Sequence, residues 1–518
     1  MKELIAFILP VATAMAGMRL GRWVLGPKFE EQFGAGFRFA YGLAVGMLVF
    51  SQAILFGSLA GVGVSAFLAW LVIIWGGLEV ILAMRKLPTF WKTLQFQKGH
   101  LWLLLLIPLF YGWWVFGRLS TLEGTMEFDA NAFWVFRAKI LYLEHGQNFI
   151  DTIRLPNLGY AHMDYPWLIG GLYALDYGAV GGVDEFVNKV WPFWMIVAFS
   201  VGFLSLAKIW KRPHPLAVAA VTIVFFLPNT LQYIRWEGGT TPMVFYQGMV
   251  ALLLFKTICE KDSFGLAMAM PVIAGCAVTK FEGVIYGILW LGVLLPFCWK
   301  YKWFKNITVW KSAIAGLICL LPFEWYRQMK PVPYEFTHWW KAYTAWHMVL
   351  PCYLKALVLY IFGRFFNDNY FSWQPDAAGH LHWNGQWLGM ASFVNEHNAV
   401  LPWLLVILLA LSFWKKRAHW LALVSASFVM IALMAFLALI LVCLGYTESD
   451  VPGTINYTNV FVDWNNDRDI GRYYYPLFTA WFLAIVMLWF PAEKPQPEPV
   501  PSPQESLKPP APKAKRRR

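Results

Sequence analysis

The chain of 518 residues predicts an all-α polytopic membrane protein of about thirteen transmembrane helices, with interfacial helices in its outer loops. Three observations carry this. Only 14% of the residues are charged and 59% are hydrophobic, whereas a soluble domain carries about 25% charged residues to cover its surface. The mean hydropathy is +0.50. Most of the chain also divides into apolar runs close to the roughly 20 residues that a helix needs to cross a 30 Å hydrocarbon core.

In chain order the runs are 5–20, 38–59, 61–84, 101–119, 186–207, 214–233, 242–258, 264–279, 282–299, 309–326, 398–414, 420–446 and 473–491. Two shorter stretches, 165–181 and 351–363, are flanked by polar segments that share one side, and read as interfacial or re-entrant helices. No small-residue cleavage site follows the first run before Arg19 and Arg22, so it reads as a span and not as a cleaved leader.

Lys and Arg gather in the short loops around 85–98, 208–212, 300–311 and 415–417, which the positive-inside rule assigns to the cytoplasm. Alternation then places four substantial loops outside: 120–185, 234–241, 327–397 and 447–472. Divided this way, the formal charge of +12 becomes +20 inside and −7 outside, with Glu79 within a span supplying the remaining −1. The basic excess is a topology signal joined to the terminal Lys-Ala-Lys-Arg-Arg-Arg, and nucleic acid is not needed to explain it. Residues 491–518 are rich in Pro, Lys, Glu and Ser, cannot bury a core, and read as a disordered basic cytoplasmic tail that touches anionic membrane lipid. The six cysteines show neither paired spacing nor metal-ligand spacing, and read as apolar packing residues.

The first large outer loop is the most informative. It runs Glu123-Gly-Thr-Met-Glu127-Phe-Asp129-Ala-Asn-Ala-Phe-Trp134-Val-Phe-Arg137-Ala-Lys139, and later His162-Met-Asp164-Tyr165-Pro166-Trp167. Ala130, Trp134, Ala138 and Leu141 recur at three- and four-residue steps, so a helix follows Asp129, which stands where an N-cap would. Further along, Thr279-Lys280-Phe281-Glu282-Gly283 begins one span, and Arg472-Tyr-Tyr-Tyr-Pro476 begins another.

This order of motifs resembles the GT-C glycosyltransferases that use polyprenyl-phosphate sugars, among them protein O-mannosyltransferases and lipid A aminoarabinose transferases. Glu127-Phe128-Asp129 is similar to the modified DxD motif of their first outer loop. The similarity covers roughly residues 101–490, with the outer loops 120–185, 327–397 and 447–472. It leaves residues 1–100 as a three-span N-terminal extension with no counterpart. The resemblance implies a GT-C-like fold in a bacterial inner membrane, with the active site on the extracytoplasmic face. It also implies transfer of a sugar from a polyprenyl-phosphate carrier to a lipid, glycan or protein acceptor. In some members with a full DxD motif the reaction depends on a metal. Glu127 and Asp129 leave a divalent cation open here, although one or two carboxylates make a poor cage.

The chemistry needs a base for the incoming hydroxyl and cations for the departing phosphate. Asp129, with Glu127 beside it, is the candidate catalytic pair, and the resemblance implies inversion with Asp129 as base. Lys139, Lys280 and Arg472 are the candidate phosphate ligands; Arg235 and Arg327 sit at membrane edges, where long cations snorkel to headgroups. His162, Asp164, Tyr165 and Glu282 are candidates for binding sugar or acceptor hydroxyls. The Trp-rich segment 327–397 offers stacking faces and also fits an envelope polysaccharide polymerase or ligase, which carries its essential groups in a late outer loop. A lipid or sugar flippase would place charges within spans and show repeat symmetry; here the charges gather at outer span ends.

Overall fold

The computed structural model describes residues 2–84, 130–155, 165–210, 217, 218, 221, 239–329, 371–375, 381–385 and 410. Among them the helices are α1 (Lys2–Leu25), α2 (Lys28–Gln32), α3 (Ala35–Leu59), α4 (Ser65–Met84), α5 (Phe136–Leu143), α6 (Gln147–Ile153), α7 (Leu168–Val180), α8 (Val190–Ile209), α9 (Thr240–Glu260), α10 (Ser263–Ala277), α11 (Phe281–Tyr301) and α12 (Ile307–Met329). A π-helical turn, Ala130–Val135, leads into α5, and 3₁₀ turns at Glu185–Lys189 and Trp303–Lys305 precede α8 and α12. Seven of the described helical segments are long and apolar enough to cross a membrane, which makes this a multi-pass membrane protein. The predicted runs at 101–119, 420–446 and 473–491, nearly all of 214–233 and 398–414, the interfacial stretch 351–363 and the tail lie outside the described residues.

The described runs form helices where the sequence predicts them, usually a turn longer. Run 38–59 becomes Ala35–Leu59 and run 309–326 becomes Ile307–Met329. At 1.5 Å per residue, α3 is about 37 Å long and α10 about 22 Å. The short α10 still runs from one end of the bundle to the other. Asp262 caps its start by accepting from the Phe264 amide at 3.0 Å, and Thr279 closes its far end by donating to the Gly275 carbonyl at 2.8 Å.

Alternation is visible in what meets at each end. At one end the Ser58 carbonyl accepts from the Gly146 amide at 2.7 Å, and the Ser58 hydroxyl donates to the Leu141 carbonyl at 3.2 Å. At the same end Arg154 donates twice to the Met329 carbonyl, at 2.9 and 2.7 Å. These groups all belong to helix ends or loops predicted to face outward.

At the opposite end Arg22 pairs with Glu30 at 2.6 Å, and Asn306 donates to the Ser263 hydroxyl at 2.7 Å. Glu79, the acid predicted inside a span, is 3.6 Å from Arg19. Lys256, 4% exposed, pairs with Glu260 at 2.5 Å and Asp262 at 3.7 Å while its ammonium lies 5.2 Å from the Phe33 ring centroid. Lys256→Met keeps the stem and removes the charge. Because both carboxylates stay about a third exposed, the expected cost is about 1–2 kcal/mol, read as a lower melting temperature in detergent; an unchanged melting temperature removes this pair from the stabilising contacts.

The N-terminal helices, read as a three-span extension, pack into the same bundle as the later helices. Helix α3 packs against α1, α7, α8, α10 and α12, and most of its length is buried. The seam with α1 is built from small residues. A Cβ on Gly42 would stand 2.3 Å from the Ala14 carbonyl oxygen, and one on Gly46 would stand 2.4 Å from that of Thr13. This is the small-residue contact that lets membrane helices approach closely.

Helix α7, read as interfacial or re-entrant, is buried along its length, Leu168 to Ala179, among α1, α3, α4 and α5. Its Asp176 accepts from the Trp191 indole at 2.7 Å, and burial pushes its carboxyl well above the ordinary range. The described residues are predominantly helical, as the all-α reading expects, and β1 (Phe371–Pro375) and β2 (Leu381–Gly385) add one short antiparallel pair in the Trp-rich segment, with Trp373 opposite Trp383.

Candidate functional site

The residues after Asp129 open with the π-turn. A π-turn widens the helix by one residue per turn and is frequent at functional sites. It brings Trp134 and Arg137 onto one side of α5. Arg137 is fully buried, and its guanidinium carbon lies 4.8 Å from the Trp134 ring centroid, 5.5 Å from that of Tyr165 and 5.7 Å from that of Trp167. Its Nη1 donates to the Pro166 carbonyl at 3.0 Å. Trp167 in turn packs edge-on against Tyr326 at 5.1 Å and Phe149 at 5.6 Å, which ties the loop to α12 and α6.

Lys139 lies two residues beyond Arg137 and therefore points to another side of the helix. It is half-buried and pairs with Glu185 at 2.5 Å. Its charge is thus already engaged by the 3₁₀ turn before α8.

The second predicted cluster reaches this place through the backbone. The Leu168 amide donates to the Val278 carbonyl at 3.1 Å, so Tyr165-Pro166-Trp167 lies beside Thr279-Lys280-Phe281-Glu282-Gly283. These stretches are 110 residues apart in the chain. Lys280 is extended, with φ −146° and ψ 165°, at the N-cap position of α11. Its stem crosses Gly239 at the start of α9, where a Cβ would meet its Cγ, Cδ and Cε at 2.7–2.8 Å. Glu282 stands in the first turn of α11, where the helix dipole favours an anion. It is 6% exposed, and its Oε2 has no hydrogen-bond partner among the described residues. Gly283 follows because nothing larger fits, since a Cβ there would lie only 1.9 Å from the Cys276 carbonyl oxygen.

Below this edge, Gln247 joins three helices. It accepts from the Trp290 indole at 2.5 Å and donates to the Cys276 thiol at 3.1 Å. Among the described residues, Gln52 of α3, 2% exposed, has both amide atoms unpartnered, and the buried Trp167 indole N–H is unpartnered as well. Buried polar groups left open in this way are the ones that a ligand or an ordered water satisfies.

Of the sequence-predicted site residues, the structure brings Tyr165, Lys280 and Glu282 to one end of the bundle, and sets Lys139 aside in its pair with Glu185. Glu127, Asp129, His162, Asp164, Arg235 and Arg472 lie outside the described residues. Arg327 pairs with Glu324 at 3.1 Å on the exposed end of α12, as an edge cation would. Sequence reasoning passed over Arg137, Trp167, Gln247 and Gln52. For Arg137 the signal was present, because it stands three residues after Trp134 and four before Leu141, inside the apolar stripe. Among the described residues, no group of three or more His, Cys, Asp or Glu side chains is placed to hold a metal ion. No protein-family model, no curated protein and no solved structure matches the chain.

Proposed function

We propose that this end of the bundle transfers a sugar from a polyprenyl-phosphate carrier to a lipid, glycan or protein acceptor on the extracytoplasmic face, in the manner of a GT-C-like enzyme. The observation that carries the reading is the Leu168–Val278 hydrogen bond, 3.1 Å long, which unites two of the motifs on which the resemblance rests. Arg137 adds to it by joining the helix that follows Asp129 to the residues that follow Asp164. In the reaction, the Asp129 carboxylate takes the proton of the acceptor hydroxyl as that oxygen bonds to the anomeric carbon. The bond from that carbon to the phosphate oxygen breaks, and the electron pair leaves with the phosphate. Lys280 and Arg472 neutralise the charge that develops there. Glu282, Tyr165, His162 and Asp164 receive sugar or acceptor hydroxyls. Glu127 supports Asp129, and no step is routed through a metal.

The test is deletion of the gene in its native host, with mass spectrometry of envelope glycans, glycolipids and extracted carrier lipids. Loss of one sugar from a lipid, glycan or protein, with the carrier-linked sugar accumulating, is the expected result. Accumulation of intact unpolymerised or unligated chains would favour the polymerase or ligase reading, for which the Trp-rich 371–385 segment speaks. Unchanged envelope products would end both.

A further inference from the structure

We infer that Arg137 is a positioning residue that docks Tyr165-Pro166-Trp167 onto α5 and so sets how this segment meets α10 and α11. This rests on the functional reading above, although part of its test does not. A fully buried guanidinium is a costly way to fill volume. Here it is enclosed by Trp134, Tyr165 and Trp167, and it donates to backbone, the Pro166 carbonyl at 3.0 Å. Two residues beyond Pro166, the Leu168 amide makes the bond to Val278. Arg137 therefore joins the start of α5 to the segment 165–168, and its stacking fixes how that segment meets α10 and α11. A planar cation is needed for three rings at once, and an ammonium does not supply one.

The geometry offers a covalent substitute. A Cβ built on Gly170 lies 3.4 Å from the Arg137 Cβ and no nearer than 3.6 Å to any other atom. That is close to the Cβ separation of a disulfide. In Arg137→Cys/Gly170→Cys, diamide takes two electrons and two protons from the paired thiols and forms the bridge, pinning the start of α7 to α5 without a guanidinium.

The experiment uses isolated membranes that retain their own lipid-linked donor and acceptor, with product read by mass spectrometry. Arg137→Gln, Arg137→Lys and Arg137→Cys are expected to lose tenfold or more of the product at wild-type abundance. Gly170→Cys is expected to keep it. The oxidised double variant is expected to recover at least half of the wild-type level, and to lose it again when dithiothreitol is added to the same preparation. That comparison within one preparation stands even where a single variant folds poorly. If the bridge forms, as shown by peptide mapping, and product stays absent, Arg137 acts on substrate and the positioning role is overturned. Hydrogen exchange at the Leu168 amide supplies the arm that is independent of activity. It should quicken in Arg137→Gln and slow again in the oxidised double variant, and an unchanged rate in Arg137→Gln would overturn the inference. Failure of the sugar-transfer reading looks different: wild-type membranes make no gene-dependent glycosyl product, while the exchange pattern still appears.

Discussion

Asp129→Asn is expected to lower product by about two to four orders of magnitude, the usual contribution of a general base, with the protein present in the membrane at its normal level. The substitution is chosen because Asn caps a helix as well as Asp does. If Asp129 only caps the helix that begins with the π-turn Ala130–Val135, the Asn variant folds and works normally. If its carboxylate takes the acceptor proton, the amide cannot replace it, and shape is preserved while chemistry is lost. The readout is the transferred sugar by mass spectrometry, normalised to a blot of the membrane fraction. Normal product at normal abundance would remove the base assignment. The neighbouring cations cannot compensate for the lost carboxylate, since they stabilise the leaving phosphate and do not activate the hydroxyl.

How much of this was legible beforehand depended on which physical signal each feature leaves. Spans were legible because lipid demands apolar side chains along an entire helix; Ala35–Leu59, Thr240–Glu260 and Phe281–Tyr301 each lie within a few residues of the predicted run. The burial of α7 was less so, since an apolar run of 13 residues can lie on a membrane or inside a protein. Its all-round apolar character was the available clue, because an interfacial helix needs a polar face. Gly171 and Gly178 add to that clue: a Cβ on either would run into the backbone of Ser51 or Ser65.

The packing of the N-terminal helices was not legible for another reason. The resemblance compares the order of motifs, and order carries no information about which helices pack together. At the candidate site, the functional end of α11 was legible from Lys280 and Glu282 as charges at a span start. The choice between Arg137 and Lys139 was not made by residue type. It was made by helix phase, which puts Arg137 among Trp134 and Tyr165 and turns Lys139 toward Glu185.

Gly46→Leu is expected to abolish the folded protein, and the reason lies in what surrounds the missing side chain. A Cβ on Gly46 would stand 2.4 Å from the Thr13 carbonyl oxygen and 2.7 Å from the Thr13 Cγ2. One turn away the same contact recurs from Gly42 to Ala14, and on α1 a Cβ at Gly17 would come within 1.9 Å of the Gly42 carbonyl oxygen. The facing atoms are largely backbone and cannot swing aside, so α1 and α3 must separate. Even Gly46→Ala is expected to cost about 1–3 kcal/mol as an overpacked contact. Separation would spread, because α3 also supports α7, α8, α10 and α12, and its Ser58 anchors the loop at Gly146 and Leu141. Gly77→Leu is the matched control, since a Cβ there meets nothing within 4 Å. Size-exclusion profiles of detergent-extracted protein should show Gly77→Leu running as wild type and Gly46→Leu aggregated or absent. A wild-type profile for Gly46→Leu would mean that α1 and α3 do not pack at backbone distance. Set beside Asp129→Asn, this pair separates the two ways of losing product: Asp129→Asn removes a proton acceptor from an intact bundle, whereas Gly46→Leu removes the bundle that holds the acceptor in place.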